Sequence, residues 1–536
     1  MKATLLVQKL LLVFFLCAIA AISFSTTPPQ MAPEGDICFR EGPWDCDCCT
    51  SILVGKGASA DGSTMTSHSC DSNTDRTWIN VVPHQKHQPG DMTKIYMEPK
   101  RTTGPDDPDR FDMGEIPQVP ETYAYINTAY AVMNEHQLAI GETTFGGKRE
   151  LRSKEGLLDC PELYRLALER AKTAREAIEV IDTLTKEHGY NDVGECFTFA
   201  DPNETWHFEI LGPGEGKIGA VWAAVRLPED HVGVSANASR IRQIDLDDKE
   251  NVMASDNVHS LAKEMGWWDP ASGEPFEFCY AYASRDKMGS RRREWRALSL
   301  IAPSLGLDPY AENYPLSVKA ERKLSVKDTF EIFRNYYQDT PFDMTRSLTA
   351  VDKEGKVVKS PVANPFMNTD YLALFNIERE RTICCARATY LNITQSRAWL
   401  PDAIGGVVWL GYDNPALTPH TPFYAGISKM PDSYMVDGRK EFRRDCAWWA
   451  FRQVSKLATM RYQPMSEDIE KVWREIEDKA FAHQAELEKE ALALHEKDPQ
   501  KAKEFLTDYC LDVANKSVER YWKLAEELWS KYHTLF

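Results

Sequence analysis

Asp45-Cys-Asp-Cys-Cys49-Thr-Ser-Ile-Leu-Val-Gly-Lys56-Gly-Ala-Ser-Ala-Asp61-Gly-Ser-Thr-Met-Thr-Ser-His68-Ser-Cys-Asp71 sets a cysteine at the mouth of a β-hairpin. Thr50 to Lys56 is short, apolar and rich in β-formers, which predicts a buried strand. Asp61-Gly62 is a turn signal, and Ser63 to Ser69 is the expected returning strand. Cys49 thus opens the first strand. A cut just before it would put a thiol and a free α-amine on one residue. An α-amine titrates near pH ~7.7–8.0, close enough to neutrality to take the thiol proton. Nucleophile and base would then share one residue, with no catalytic histidine needed.

The surrounding chain is that of an exported globular protein. Residues 1–25 carry lysines at positions 2 and 9, an apolar run from Leu10, and small residues at Ala20, Ala21 and Ser23. That pattern predicts a signal peptide, the run being shorter than the ~20 residues of a spanning helix. No later stretch predicts a membrane span. Residues 26–48, without clear period, are the expected propeptide; an N-terminal extension pinned by disulfides is the plainer alternative. The 536 residues are 43% hydrophobic and 27% charged, with a net charge of −18, which argues against a nucleic-acid partner. Of the 13 cysteines, Cys17 falls in the leader and Cys38, Cys46 and Cys48 in the propeptide. The rest would be one nucleophile and an even set able to pair. Cys46, Cys48 and Cys49 lack the paired Cys-x-x-Cys and histidine spacing of structural zinc, so no metal is expected. No cofactor is expected either, and a homo-oligomer is left open.

Beyond the hairpin, Ile79 to Arg110 predicts loops around short strands. Ala124 to Phe145 predicts two strands joined by the turn Asn134-Glu135-His136-Gln137. Cys160 to Lys186 has helical spacing throughout and predicts one core-covering helix, with Pro161 near its start and Gly189 after its end. Phe197–Ala200, Thr205–Leu211 and Ala220–Arg226 predict antiparallel strands, turned at Asp201-Pro202-Asn203 and Gly212-Pro213-Gly214. Ser290 to Leu298 predicts a helix that opens on Arg291, Arg292 and Arg293. Ser466 to Phe536 is charged and glycine-free, which predicts two helical arms broken at Asp498-Pro499.

Cys49-Thr50-Ser51-Ile52-Leu53-Val54-Gly55-Lys56 followed by Asp61-Gly62-Ser63-Thr64-Met65 resembles the nucleophile segment of the dipeptidase A–secernin family of N-terminal nucleophile cysteine hydrolases, the dipeptidase branch in particular. The resemblance runs from Cys49 to Arg461 through several ordered patches. These are the Asn-Glu turn with Gly141-Glu142-Thr143-Thr144, the run His231 to Ile241, the arginines before Ala297, Arg381-Thr382-Ile383-Cys384-Cys385, and Gln395 to Trp409. It implies an α+β, four-layer αββα sandwich over residues 49–465, with residues 466–536 as a helical extension. It implies hydrolysis of dipeptides or short peptides by Cys49, with Asn237 donating to the oxyanion and Asp71 accepting from the Cys49 amine or its neighbours. Arg293, with Arg292 in reserve, matches the active-site arginine of related cysteine acylases.

Glu142 and Thr143 are expected beside the nucleophile, Glu142 as partner of a substrate ammonium and Arg293 of a carboxylate, unless Arg293 supports the cysteine instead. Either of Glu142 and Thr143 reads equally as an ordinary strand end. The sequon Asn237-Ala238-Ser239 would go unused, since a glycan cannot share an active site. The chain departs from the compared dipeptidases at His68, where they carry arginine. A histidine is charged only below its pKa, near ~6.5 when unperturbed. If His68 supplies the positive charge, activity falls as pH rises, which suits an acidic compartment; alternatively it only fills space. The expected site is secreted, or a lysosome-like or periplasmic lumen. Two other functions stay open on the same residues: an acylase for a non-peptide amide, and a non-catalytic binding protein.

Overall fold

The computed structural model describes residues 48–72, 75–97, 111–284 and 287–534. The expected leader and all of the expected propeptide except Cys48 lie outside these residues. The chain divides into Met1–Cys46 and Asp47–Phe536, and every described residue belongs to the second unit.

Two antiparallel sheets form the core. The first orders its strands Ser317–Lys319, His231–Ser235, Cys48–Val54, Ser67–Asp71, Tyr390–Gln395, Val407–Tyr412 and Thr421–Tyr424. Cys48–Val54 is therefore central. It pairs with His231–Ser235 on one side (Ser51 opposite Ser235) and with Ser67–Asp71 on the other (Cys49 opposite Cys70). A central strand must hide both faces, and the apolar Ile52-Leu53-Val54 run is fully buried. The return strand starts later than expected. Met65 makes one bridge to Val54, the strand itself begins only at Ser67, and its ladder with the first strand starts at Ser69, opposite Thr50.

The second sheet has eight strands and carries Ala139–Gly146 beside Gly194–Ala200, Thr205–Leu211 and Val221–Arg226. The expected Asn134 turn is present, with Gln137 at a positive φ of 65°. The sheets meet where the Ser51 and Thr198 hydroxyls lie 2.5 Å apart. Gly141 marks the closest approach. A Cβ there would stand 2.3 Å from the Ser67 carbonyl oxygen and 2.9 Å from Ser51 Oγ.

The stretch expected as one helix is two, Cys160–Arg170 and Ala174–His188. Thr173 caps the second by accepting from the Glu176 N–H, so a new helix starts where helical spacing alone predicts continuation. Met288–Ile301 is helical as expected and lies against the His231–Ser235 strand. The two arms are helices of 34 residues each, Tyr462–His495 and Pro499–Tyr532, with Asp498 capping the second. The first begins at Tyr462, ahead of the expected Ser466. It is tied to the core by Glu477, which binds Arg334 at 2.6 Å and His420 Nδ1 at 2.9 Å. Among the described residues, no helix is long and apolar enough to cross a membrane. No disulfide is seen among the ten described cysteines, so the expected pairing of the even set is not found among them. Some have partners of their own; Cys384, for example, donates to Asn414 Oδ1 and Cys446 to the Val436 carbonyl.

Candidate active site

Cys49 is 5% exposed and is held by its main chain from downstream elements. Its N–H donates to Asn237 Oδ1 at 3.0 Å. Its carbonyl accepts from Arg293 Nη1 at 2.6 Å. Asn237 follows the His231–Ser235 strand at a φ of 59°, a left-handed conformation that asparagine tolerates better than most residues. Its Nδ2 donates to the Thr144 carbonyl at 2.8 Å, and one amide N–H remains beyond that bond. Asn237 is 4% exposed, which leaves the sequon asparagine enclosed.

The loop carrying Asn237 is fixed from below by Glu209. This carboxylate accepts from the Arg240 N–H at 2.5 Å, the Ile241 N–H at 3.2 Å, Ser239 Oγ, and His207 Nε2 at 2.8 Å. Burial would raise the Glu209 pKa, but these partners hold it low. Sequence reasoning assigned Glu209 no role; an acidic residue inside an apolar strand was the only signal.

Arg293 projects from the Met288–Ile301 helix, and all five of its N–H donors are matched. Nε reaches the Gly289 carbonyl (3.1 Å). Nη1 reaches the Cys49 carbonyl and Thr50 Oγ1 (3.0 Å). Nη2 reaches the Ala236 carbonyl (3.1 Å) and Asn237 Oδ1 (2.9 Å). Arg293 thus supports the cysteine, and no donor is turned toward a substrate carboxylate. Arg292 packs instead over the Phe342 ring. Burial, then the nearby Arg381, pulls the Arg293 pKa down.

Successive strand residues face opposite ways, so Cys49 and Ser51 share the side that meets the second sheet, and Thr50 takes the other. Asp71 is paired in the ladder with Cys48 and binds the Arg381 guanidinium. Burial pushes the Asp71 carboxyl up, against the pull of Arg381 and Arg293. Arg381 was quoted in the sequence only as part of a patch. Its partner stands 310 positions away, and nothing local marks the pair.

The thiol keeps different company. Cys49 Sγ, a His68 ring nitrogen and a Glu142 carboxylate oxygen all lie within 4.8 Å of one another. His68 Nε2 is 3.3 Å from Glu142 Oε2, and the His68 ring packs edge-on against Tyr130 and Tyr390. Glu142 also accepts from Thr144 Oγ1 at 2.9 Å. Thr143 turns away to Ser235, with 2.5 Å between the hydroxyls. Burial, then the charges of Glu142, Cys70 and Asp71, push the Cys49 thiol far up while residue 48 remains attached. A separate cavity of about 390 Å³ lies between the two long C-terminal helices, lined by residues such as Ile476, His483 and Tyr509. None of the residues just described lines it.

The sequence profile of peptidase family C69 matches residues 48–475. A probable dipeptidase of Latilactobacillus sakei is 25% identical over 437 residues, 77% of this chain and 81% of that protein. Probable dipeptidase B of Streptococcus pyogenes serotype M1 is 24% identical over 488 residues, 88% and 91% of the two chains. A probable dipeptidase of Salmonella dublin is 30% identical over 402 residues, 71% and 81%. The match begins one residue before the cysteine gripped by Asn237 and Arg293 and runs into the first long arm: the chain belongs to peptidase family C69.

Proposed function

We propose that this peptidase is a dipeptidase whose nucleophile is Cys49, exposed as the N-terminal residue by removal of the chain before it. The observation that carries the proposal is the grip on Cys49. Its N–H and carbonyl are both held from downstream, by Asn237 and Arg293, while its thiol lies beside His68 and Glu142. In the uncut chain the residue-49 nitrogen is an amide and cannot act as a base. The surrounding charges oppose a thiolate. Cleavage changes both conditions at once: the nitrogen becomes an amine, and its protonated form favours an adjacent thiolate.

The reaction then follows. The Cys49 amine takes the thiol proton, and sulfur attacks the scissile carbonyl. The spare Asn237 N–H faces the developing oxyanion. The tetrahedral adduct collapses as the leaving amine takes the proton, which gives a thioester. Water, deprotonated by the same amine, hydrolyses that ester and restores the thiol. Glu142 receives the substrate ammonium, with His68 shaping that end. The relatives named as probable dipeptidases support the choice of substrate. On this reading the two facing sheets and their outer helices form a four-layer αββα sandwich. The leader pattern at residues 1–25 supports a secreted or luminal location.

N-terminal sequencing of active protein, paired with a dipeptide hydrolysis assay, tests the proposal. Cys49 as the first residue is expected, with hydrolysis abolished by thiol alkylation. Fully active protein that retains residues before Cys49 would overturn it.

A further inference from the structure

Among the described residues, the Cys49, His68 and Glu142 donors are the one trio of Cys, His, Asp or Glu side chains drawn together in this way. They come from three strands on two sheets, and all three residues are buried, His68 at 1% and Glu142 at 0% exposure. A tetrahedral zinc ion binds sulfur at ~2.3 Å and nitrogen or oxygen at ~2.0–2.2 Å, which separates its donors by roughly 3.3–3.7 Å. The 3.3 Å between His68 Nε2 and Glu142 Oε2 already matches that spacing. The 4.8 Å bound on the trio puts the thiol within a small side-chain rotation of it.

The charges also match. A thiolate and a carboxylate balance one divalent ion, which suits a site with little water. A sulfur and an imidazole select zinc over magnesium or calcium, which prefer all-oxygen shells.

We propose that Cys49, His68 and Glu142 form a zinc site, and that Zn²⁺ bound there reversibly switches the peptidase off. Binding forms the zinc–sulfur bond and releases the thiol proton to solvent. The imidazole binds neutral and the glutamate ionised. The fourth position goes to water or, in the cut chain, to the Cys49 amine, which closes a five-membered chelate with its own sulfur. The zinc site stands on its own geometry; only its inhibitory effect rests on Cys49 being the nucleophile.

Co²⁺ titration of metal-free protein tests the site, since cobalt bound to a thiolate gives a charge-transfer band in the near ultraviolet. One equivalent is expected to produce the band, and Zn²⁺ to abolish it by displacement. Cys49→Ser should remove the band. His68→Gln and Glu142→Gln should each weaken Zn²⁺ affinity at least about tenfold in a competition assay with a chelating dye. If one variant fails to fold, the other two make the same comparison. Absence of the band in wild-type protein, or variants that bind Zn²⁺ as tightly as wild type, would overturn the site. In parallel, Zn²⁺ should inhibit dipeptide hydrolysis at concentrations matching its Kd, with recovery on adding EDTA. A protein that shows the band yet hydrolyses no dipeptide refutes the proposed function and upholds the site. A protein that hydrolyses dipeptides without forming the band refutes the site alone.

Discussion

Asn237→Asp separates the two tasks of one side chain. The substitution keeps the oxygen that accepts from the Cys49 N–H at 3.0 Å and from Arg293 at 2.9 Å. The new negative charge faces a guanidinium, so the main-chain grip survives. What changes is the other end. The donor bond to the Thr144 carbonyl at 2.8 Å becomes a contact between two oxygens, and the N–H assigned to the oxyanion disappears. The first change costs about 1–3 kcal/mol of stability, since one buried acceptor loses its donor. In a protein of this size that lowers Tm by a few degrees at most. The second removes one preorganised donor, worth about 10²–10³-fold in kcat. Thermal melting measures the first and steady-state hydrolysis of a free dipeptide the second. Mass spectrometry gives the fraction of chains starting at Cys49, and kcat is taken per processed chain. A kcat per processed chain within about threefold of wild type would refute the oxyanion role of Asn237.

Cys49→Ala should abolish amide hydrolysis whereas Cys48→Ala leaves it intact once the chain is cut; kinetics with mass analysis distinguish them, and the reverse result moves the nucleophile. N-acetylation of a good dipeptide substrate should raise KM or end turnover, because Glu142 loses its ammonium partner; equal turnover of blocked and free dipeptides favours an acylase. Arg334 and His420 hold the Glu477 pKa at about 2 against an ordinary 4.5, although burial alone would raise it. A depressed carboxyl stabilises the fold above its unfolded pKa and loses that contribution as pH falls through the folded one, here from about 4.5 toward about 2, up to ~3 kcal/mol in all. Urea unfolding across that window should therefore show a steeper acid loss in wild type than in Glu477→Gln, and parallel curves would count against it. Gly141→Ala should lower Tm markedly, since its Cβ would meet the Ser67 carbonyl oxygen at 2.3 Å between two sheets, and an unchanged melt would show that the sheets can part.

Local signals carried much of the architecture. The strand at Cys49, the Asn134 turn, the three strands from Gly194 to Arg226 and the break at Asp498-Pro499 all rest on residues close in the chain. The split after Arg170 was legible too. Thr173-Ala-Arg-Glu176 is a helix-start pattern, but the apolar spacing runs straight across it and hid the signal. The site was legible as a set of names and not as an arrangement. Cys49, His68 and Glu142 could each be singled out, yet only the packing of one sheet on the other puts them together. Arg293 carried a charge that predicts a substrate carboxylate equally well. Only the five acceptors around it, drawn from the helix, the Asn237 loop and the nucleophile strand, decide its role.

Among the described residues, the side chains that clasp the Cys49 main chain, Asn237 and Arg293, both lie downstream of it. On the proposed cleavage the clasp stays with the mature chain, because both of these partners lie after the cut. Any protease able to cut just before Cys49 would then deliver the same clasped residue. Activation would then work as a fuse works, once per molecule and in one direction. The history of the chain, more than the momentary supply of a ligand, would record whether it had been armed.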